Sequence, residues 1–264
     1  MIKSFIKELK ITFLSVKYSI MKEMLNKFTF LTNVIFMILN NASFILEWVI
    51  IFSIKLEIAG YGMREVLLLW GVASGTYGLS HLFFGNSIHL SDLIVNGELD
   101  AYLVQPKDVL LSAISSRCEI SAIGDIIYSY IMLILYGFNI ASFILYTLGI
   151  ICGAVIYTSV MVIYHSLAFW FGKVDTIAET VGMIFINFAT YPGTTFKGTV
   201  RFLLYTLTPV GIANYLPVNM VFSFDLPLFM ILIGCTFAFA FLAHGIFDRG
   251  LMNYSSSNLM NARV

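Results

Sequence analysis

Polar residues recur at regular intervals in the first long apolar run of the chain. Asn33, Asn40 and Glu47 lie seven positions apart, which places them along one stripe of a helix. A carboxylate at the centre of a bilayer costs at least ~2.5 kcal/mol, so Glu47 is expected to face protein, a wet cavity or the membrane interface. The stripe can line a substrate path or form polar contacts between packed helices, and the sequence supports both interpretations.

A second acidic residue, Asp125, lies one to two turns inside a later apolar run, within helical reach of Arg117 and Glu119. Near a helix end, such a residue is usually an ion-paired anchor. An isolated carboxylate can also relay protons across a membrane. Glu47 and Asp125 therefore motivate one alternative function, that of an ion-coupled secondary transporter.

Small residues are spaced for close helix packing in the second apolar run. Gly71, Ser74, Gly75 and Gly78 form overlapping small-xxx-small pairs, which let two helix backbones approach closely. Ala73-Ser74-Gly75 and Ala243-His244-Gly245 look slightly like the serine and histidine elements of rhomboid intramembrane proteases, a resemblance that would make Ser74 a nucleophile with His244 as its base. An intramembrane serine protease is therefore a further alternative, although helix packing is the simplest explanation.

Several kinds of chemistry are missing from the sequence. It contains no G-x-x-x-x-G-K-[ST] phosphate loop, so we expect no ATPase site in this chain. Cys118, Cys152 and Cys235 are odd in number and widely spaced, which argues against a disulfide framework or a zinc site. We expect no catalytic residue, metal or cofactor in this chain.

The composition is that of a membrane protein. Of the 264 residues, 59% are hydrophobic and only 11% charged, against roughly 25% charged in soluble domains. The net charge is zero, so no basic surface predicts nucleic-acid binding. Six apolar runs are candidate bilayer-spanning helices, at residues 28–54, 66–84, 120–138, 141–171, 177–191 and 226–247. We expect one all-α transmembrane domain over residues 1–264, with the first run retained in the mature protein.

Basic residues predict the orientation of these spans. With the N-terminus inside, the positive-inside rule is satisfied by eleven cytoplasmic and four external Lys and Arg residues, and both termini are cytoplasmic. The cytoplasmic set is Lys3, Lys7, Lys10, Lys17, Lys22, Lys27, Lys107, Arg117, Lys173, Arg249 and Arg263. The external set is Lys55, Arg64, Lys197 and Arg201.

Three segments outside the spans have distinct patterns. Residues 1–27 predict an amphipathic helix, lying in the membrane interface against lipid or packed on the protein's own surface. Residues 192–225 are apolar but broken by prolines, which predicts an external re-entrant or surface helical segment, or else a plain external loop. Residues 85–118 form a polar loop that is either solvated or a docking surface, with a turn at Asn96-Gly97 and a helix start at Pro106.

Together these segments resemble the permease subunits of type-2 ABC exporters. GELDAYLVQP, from Gly97 to Pro106, is similar to the G-x-L-D-x-x-L-x-x-P motif in the cytoplasmic loop of a small six-span branch. The external segment matches the same branch at Tyr191, Pro192, Arg201, Pro209, Tyr215 and Pro217.

The resemblance implies a plasma-membrane exporter subunit that works as a dimer with an identical or related permease chain. Residues 85–118 would be a coupling loop that docks on separate cytosolic ATPase subunits, which would bind ATP and Mg. The first, second and fifth spans, with Asn33, Asn40 and Glu47, would border the translocation path or the dimer seam. The coupling residues would be Asn96, Gly97, Glu98, Leu99, Asp100, Tyr102, Leu103 and Pro106.

Overall fold

The protein is an all-α membrane protein, seen here in a computed structural model that describes residues 13–14, 16–18, 20–22 and 24–255. We number the helices within the described residues in chain order. They are α1 (Lys27–Ile54), α2 (Met63–Phe84), α3 (Leu90–Val95), α4 (Asp100–Leu103), α5 (Val109–Ile114), α6 (Ala122–Gly137), α7 (Ile140–Ser166), α8 (Ala168–Phe171), α9 (Asp175–Ala189), α10 (Gly198–Thr206), α11 (Leu216–Phe222) and α12 (Leu226–Leu251). Short 3-10 turns span Gly85–His89 and Gly193–Thr195, and a π-helical turn spans Gly211–Tyr215.

The long helices coincide with the predicted spans. Within the described residues, four helical stretches are long and apolar enough to cross a membrane: Lys27–Ile54, Met63–Val95, Ile140–Phe171 and Leu226–Leu251. The third and fifth predicted spans are shorter helices, α6 with 16 residues and α9 with 15. A helix of sixteen residues is only about 24 Å long, so neighbouring segments of the protein must cover the ends of α6 and α9.

The N-terminal helix is only partly described. Residues 1–12 of the predicted interfacial helix lie outside the described residues, while the described positions from 13 to 22 are helical. Val16 is buried, and the ring of Phe13 lies edge-on to Phe83 at a centroid distance of 5.2 Å. This part of the helix therefore packs beside the end of α2.

The centre of the bundle is the contact of α2 with α6 and α7. Glycines on α2 face these helices: Gly75 faces Ser129 and Ile150, and Gly78 faces the backbone of α6. A Cβ on Gly78 would lie 2.8 Å from the Cβ of Asp125 and 2.9 Å from the backbone oxygen of Ala122. The two backbones can approach this closely only because Gly78 has no side chain.

Part of the proline-broken segment folds into the bundle, while its first helix, α10, is largely exposed. Residues 211–218 are all buried, and the backbone of Ala213 lies against α7 at Gly153. The hydroxyl of Tyr215 donates to the carbonyl oxygen of Phe188 at 2.6 Å, and the side chain of Asn214 donates to that of Ala189. These donors satisfy carbonyls at the C-terminal end of α9 that have no partner within the helix. The segment thereby covers one end of the short helix α9.

The close α2–α6 contact predicts the effect of adding one methyl group. Gly78→Ala should lower the melting temperature of the protein in detergent, because overpacking costs ~1–3 kcal/mol, whereas Ala stabilises a helix by only ~1 kcal/mol relative to Gly. Gly234→Ala in α12 is the matched control, since no atom lies within 4 Å of its added Cβ, and it should leave the melting temperature unchanged or slightly higher. Equal effects of the two substitutions would contradict the close contact.

Candidate functional site

A buried carboxylate joins three helices inside the bundle. Asp125 on α6 is only 2% exposed, and its Oδ1 accepts a hydrogen bond from Nδ2 of Asn41 on α1 at 2.6 Å. The hydroxyl of Ser74 on α2 lies 2.9 Å from the backbone oxygen of Asp125 and 3.4 Å from its Oδ1. We expected an ion-paired anchor at Asp125, and this was wrong, because neutral donors from α1 and α2 hold the carboxylate instead.

A cavity of about 410 Å³ opens beside this junction, between α1, α2, α6 and the end of α9. Asn40, Glu47, Ser74 and Asp125 supply polar groups to its wall. Its aromatic lining is Phe44, Trp48, Trp70, Tyr77 and Tyr191. The cavity combines carboxylates with aromatic rings and is large enough for a drug-sized organic molecule.

A second, smaller cavity of about 180 Å³ shares Tyr77 and Ile186 with the first. It lies between α2, α7 and α9, and its lining includes His81, His165 and Glu179. The two cavities follow α9 along its length, from Tyr191 just beyond its C-terminal end to Glu179 near its N-terminal end. Together they form an intramembrane cleft whose wall is α9.

The predicted polar stripe on α1 divides between two places. Asn40 and Glu47 line the larger cavity, whereas Asn33 lines a separate opening beside Lys22 and Arg117 at the other end of the helix. The residues of α1 that are buried belong to the neighbouring stripe, one position later: Val34, Asn41 and Trp48. Sequence reasoning missed Asn41, although its seven-residue spacing from Val34 and Trp48 is the same signal that selected Asn40.

Ser74 and His244 do not form a nucleophile–base pair. The hydroxyl of Ser74 is directed to Asp125, and Nε2 of His244 lies 3.5 Å from Asp108 and 3.3 Å from Asp248. No hydrogen bond joins Ser74 to His244 among the described residues. Gly71, Gly75 and Gly78 face the helices that pack on α2, and so the small residues of α2 lie in a helix contact.

The polar loop at residues 85–118 folds on an apolar cluster of its own, which we call the loop cluster. Leu99 is fully buried at its centre. The cluster consists of Leu90, Leu93, Ile94, Leu99, Leu110, Ala113 and Ile114 from the loop with Val162, Ala168, Phe169, Val174, Ala243 and Phe247 from the bundle. Leu99 therefore anchors the loop to the bundle and is not accessible to a partner.

The turn at Asn96-Gly97 is the C-terminal cap of α3. The N–H of Gly97 donates to the carbonyl of Ile94 at 3.4 Å, and the N–H of Glu98 donates to that of Leu93 at 2.9 Å. This is the Schellman pattern, which requires a left-handed residue after the helix, and Gly97 has φ +74°. Glycine meets that requirement without strain, so the cap directs the chain away from α3 and places Glu98 in solvent.

The outer face of the loop mixes apolar and charged groups. Val104 is 83% exposed and Leu103 42%, and Glu98, Pro106 and Lys107 are exposed beside them. Tyr102 is only half-buried against the loop cluster. This face therefore presents two adjacent exposed aliphatic side chains next to charged ones.

Two other loop residues have structural partners. Burial and the nearby carboxylate of Asp100 raise the pKa of the Tyr254 hydroxyl to about 12, so this hydroxyl stays protonated at neutral pH. We expected Pro106 to begin a helix, but α5 begins at Val109, because Asp108 caps it by accepting a hydrogen bond from the N–H of Leu111 at 2.7 Å. Asp100 and Asp108 thus attach the loop to residues near the end of α12.

A buried polar triplet, which sequence reasoning missed, links this loop to the cleft. The hydroxyl of Ser91 on α3 lies 2.7 Å from Nδ1 of His165 on α7 and is hydrogen-bonded to Asp175 on α9. Because a carboxylate only accepts, the hydroxyl donates to Asp175 and accepts from the Nδ1–H of His165. The triplet therefore ties α3 to both α7 and α9.

The predicted residues of the external segment lie around the opposite end of the bundle. Tyr191 packs against Trp48 at a centroid distance of 5.8 Å, and Pro192 is buried. Arg201 and Tyr215 line a cavity of about 720 Å³ together with residues that follow α1. Pro209 and Pro217 are buried near the π-helical turn, Pro217 in the first turn of α11.

Comparison with known protein families gives one match. A family model described as "ABC-2 family transporter protein" matches residues 37–258, which include all of the cleft and the loop. Searches of curated proteins and of solved structures returned no significant match.

The junction at Asp125 predicts a measurable coupling between two helices. Asn41→Ala should reduce the free energy of unfolding by ~1–3 kcal/mol, because it leaves Oδ1 of a buried carboxylate without its main donor. In combination with Asp125→Ala, its effect should be much smaller, which a double-mutant cycle in SDS–detergent mixtures would measure. Asn40→Ala is the control, since its side chain only lines the cavity, and additive effects of Asn41→Ala and Asp125→Ala would contradict the coupling.

Proposed function

The chain belongs to the ABC-2 family of transporter proteins, and we propose that it is the membrane-spanning subunit of an ATP-driven exporter. In this proposal a pair of permease chains forms the translocation path, and separate cytosolic ATPase subunits bind ATP and Mg and drive it. The orientation follows the positive-inside rule, with both termini and the loop at residues 85–118 in the cytoplasm. The host membrane is the plasma membrane.

The main support for this proposal is that the loop has a buried inner side and an exposed outer side. Its inner side, around Leu99, is anchored in the bundle, and its outer side presents Leu103, Val104 and Glu98. A loop that only connects two helices needs neither an apolar anchor nor exposed aliphatic side chains. Because the chain has no phosphate loop, energy from ATP must enter through contact with another protein, and this outer side is the docking surface.

The loop and the cleft are joined by groups that can transmit movement. Ser91 ties α3 to α7 and α9, and α9 forms the wall of both cavities. Closure of two ATPase subunits would displace the loops and thereby shift α9 against α2. The cleft would then alternate between two arrangements whose populations are set by nucleotide.

The dimer seam in this proposal runs along α1. This helix is the least covered of the membrane-crossing helices together with α12, and Phe36 and Leu39 on it are 64% and 56% exposed. Glu47 is also exposed in the single chain, and lipid is an expensive environment for its carboxylate. A second permease chain against α1, identical or related, would enclose Glu47 in the path.

Ion-coupled transport is the weaker alternative. It would use the carboxylates of Glu47 and Asp125, and Asp125 is bonded to Asn41 and Ser74 in a helix junction. The family and the anchored loop both favour the ATP-driven mechanism over coupling to an ion gradient.

Docking of the ATPase predicts the effect of two loop substitutions. Glu98→Lys and Val104→Asp should each weaken binding of the partner ABC ATPase by at least ~10-fold, as expected for residues at the centre of an interface. The measurement is co-purification on an affinity tag on this chain, together with ATP hydrolysis by the reconstituted complex. Both residues are exposed, so membrane insertion and monodispersity should be unchanged.

The matched control is Glu57→Lys, the same charge reversal after α1 at the opposite end of the bundle. It should leave ATPase binding intact. Undiminished co-purification of the ATPase with both Glu98→Lys and Val104→Asp would rule out this surface as the docking site.

If the dimer seam runs along α1, introduced cysteines on this helix should form a disulfide cross-link between two chains. In a variant without the native cysteines, Phe36→Cys or Leu39→Cys should give a dimer-sized band after mild oxidation in membranes, because these positions would meet across the two-fold axis. Phe241→Cys on α12, where the phenylalanine is 75% exposed, is the control and should remain monomeric. Cross-linking at α12 and at neither position of α1 would place the seam elsewhere.

A further inference from the structure

The charge of the larger cavity is unbalanced. Glu47 and Asp125 both contribute carboxylates to its lining, and none of the described residues that line it is Lys, Arg or His. Along α1, Glu47 lies six residues beyond Asn41, the partner of Asp125, which corresponds to about 9 Å of helix rise. Glu47 and Asp125 therefore line the same cavity at different levels along α1. No positively charged side chain among the described residues lines the cavity with them.

One carboxylate oxygen in this wall lacks a partner. Asp125 is almost completely buried, and both donors near its side chain, Asn41 and Ser74, lie at Oδ1. Its Oδ2 has no hydrogen-bond partner among the described residues. A buried carboxylate is rarely left without a complement, and since Oδ2 is closed off from solvent, a positive charge held in the cavity would stabilise Asp125 across a short distance rather than through a hydrogen bond.

The aromatic rings of the cavity favour the same kind of guest. Phe44 and Trp70 are stacked at a centroid distance of 5.2 Å, and Trp48 lies 5.8 Å from Tyr191. Ring faces attract cations, and they also accept the apolar groups of an organic molecule. A small metal ion fits less well, because no group of three or more His, Cys, Asp or Glu residues capable of holding one occurs among the described residues.

We propose that this cavity is the cargo site of the exporter and that it recognises amphipathic organic cations, in which an ammonium or phosphonium centre is surrounded by apolar groups. This inference rests on the proposed function, because a cargo site presupposes a transporter. It adds the class of molecule that is carried. The positive centre lies between Glu47 and Asp125, and its apolar substituents lie against Phe44, Trp48 and Trp70. The carboxylates give selectivity for charge, and the rings give affinity for the apolar groups.

The test uses two probes of almost identical shape and opposite charge. Radiolabelled tetraphenylphosphonium should bind the purified full-length chain in detergent, and excess unlabelled tetraphenylphosphonium should displace it. Radiolabelled tetraphenylborate, tested in a separate sample because the two ions form an insoluble salt, should not bind. Glu47→Gln should weaken binding of the cation by ~10-fold, because it removes one of the two negative partners of the bound charge.

Two further variants complete the experiment. Asp125→Asn keeps the shape of the side chain and the acceptor for Asn41, and it should also weaken binding of tetraphenylphosphonium. Glu57→Gln removes one negative charge outside this cavity and should leave binding unchanged. The proposal is overturned if tetraphenylborate, tested separately, binds the chain as tightly as tetraphenylphosphonium does, or if Glu47→Gln and Asp125→Asn both bind the cation with unaltered affinity.

This binding measurement needs no ATPase, so its failure is distinguishable from failure of the exporter assignment. Binding of the cation without co-purification of an ATPase would support the site and contradict ATP-driven transport. ATPase docking without cation binding would leave the exporter in place and overturn the cargo class.

Discussion

The hydrogen bonds to Asp125 are the interaction on which the membrane-spanning part of this protein depends. Neither lipid nor water solvates a carboxylate in the interior of the bundle, so protein donors must do so. Asn41 on α1 and Ser74 on α2 donate hydrogen bonds to Asp125 on α6. These bonds fix the rotation of each of the three helices about its own axis. The glycines of α2 permit the close approach that these short side chains require. With the helices in these rotations, Glu47 and the aromatic rings line a common cavity.

The loop at residues 85–118 is built differently, because one side of it is buried against the bundle and the other side is exposed. Burial of Leu99 and its neighbours gives it a core that includes the ends of α7 and α12. The Schellman cap at Gly97 then turns the chain outward, so that Glu98 is exposed directly before the buried Leu99. Force applied to the outer side would reach the bundle through this core and through the Ser91 triplet, rather than being lost in a flexible connection.

The short helix α9 connects these two regions. Near its N-terminal end Asp175 receives the hydrogen bond of Ser91, and at its C-terminal end two carbonyls are satisfied by Asn214 and Tyr215. It is held at both ends by polar contacts, while its flank forms the wall of the cleft. Such an element can shift as a unit when its end contacts change, because its own backbone hydrogen bonds need not break.

The class of the protein and the positions of its long helices could be predicted from the sequence, since the length and polarity of an apolar run are local properties of the chain. The loop and the acidic residues of the cleft, through Gly97, Glu47 and Asp125, could be located in the same way. Which polar residues meet depends on how the helices pack. A rotation of one residue, 100° about the axis of α1, separates Asn40 on the cavity wall from Asn41 in the junction, and packing against α6 sets that rotation. The burial of Leu99 and the Ser91 triplet depend likewise on contacts between segments about 70 residues apart or more, which no local pattern records.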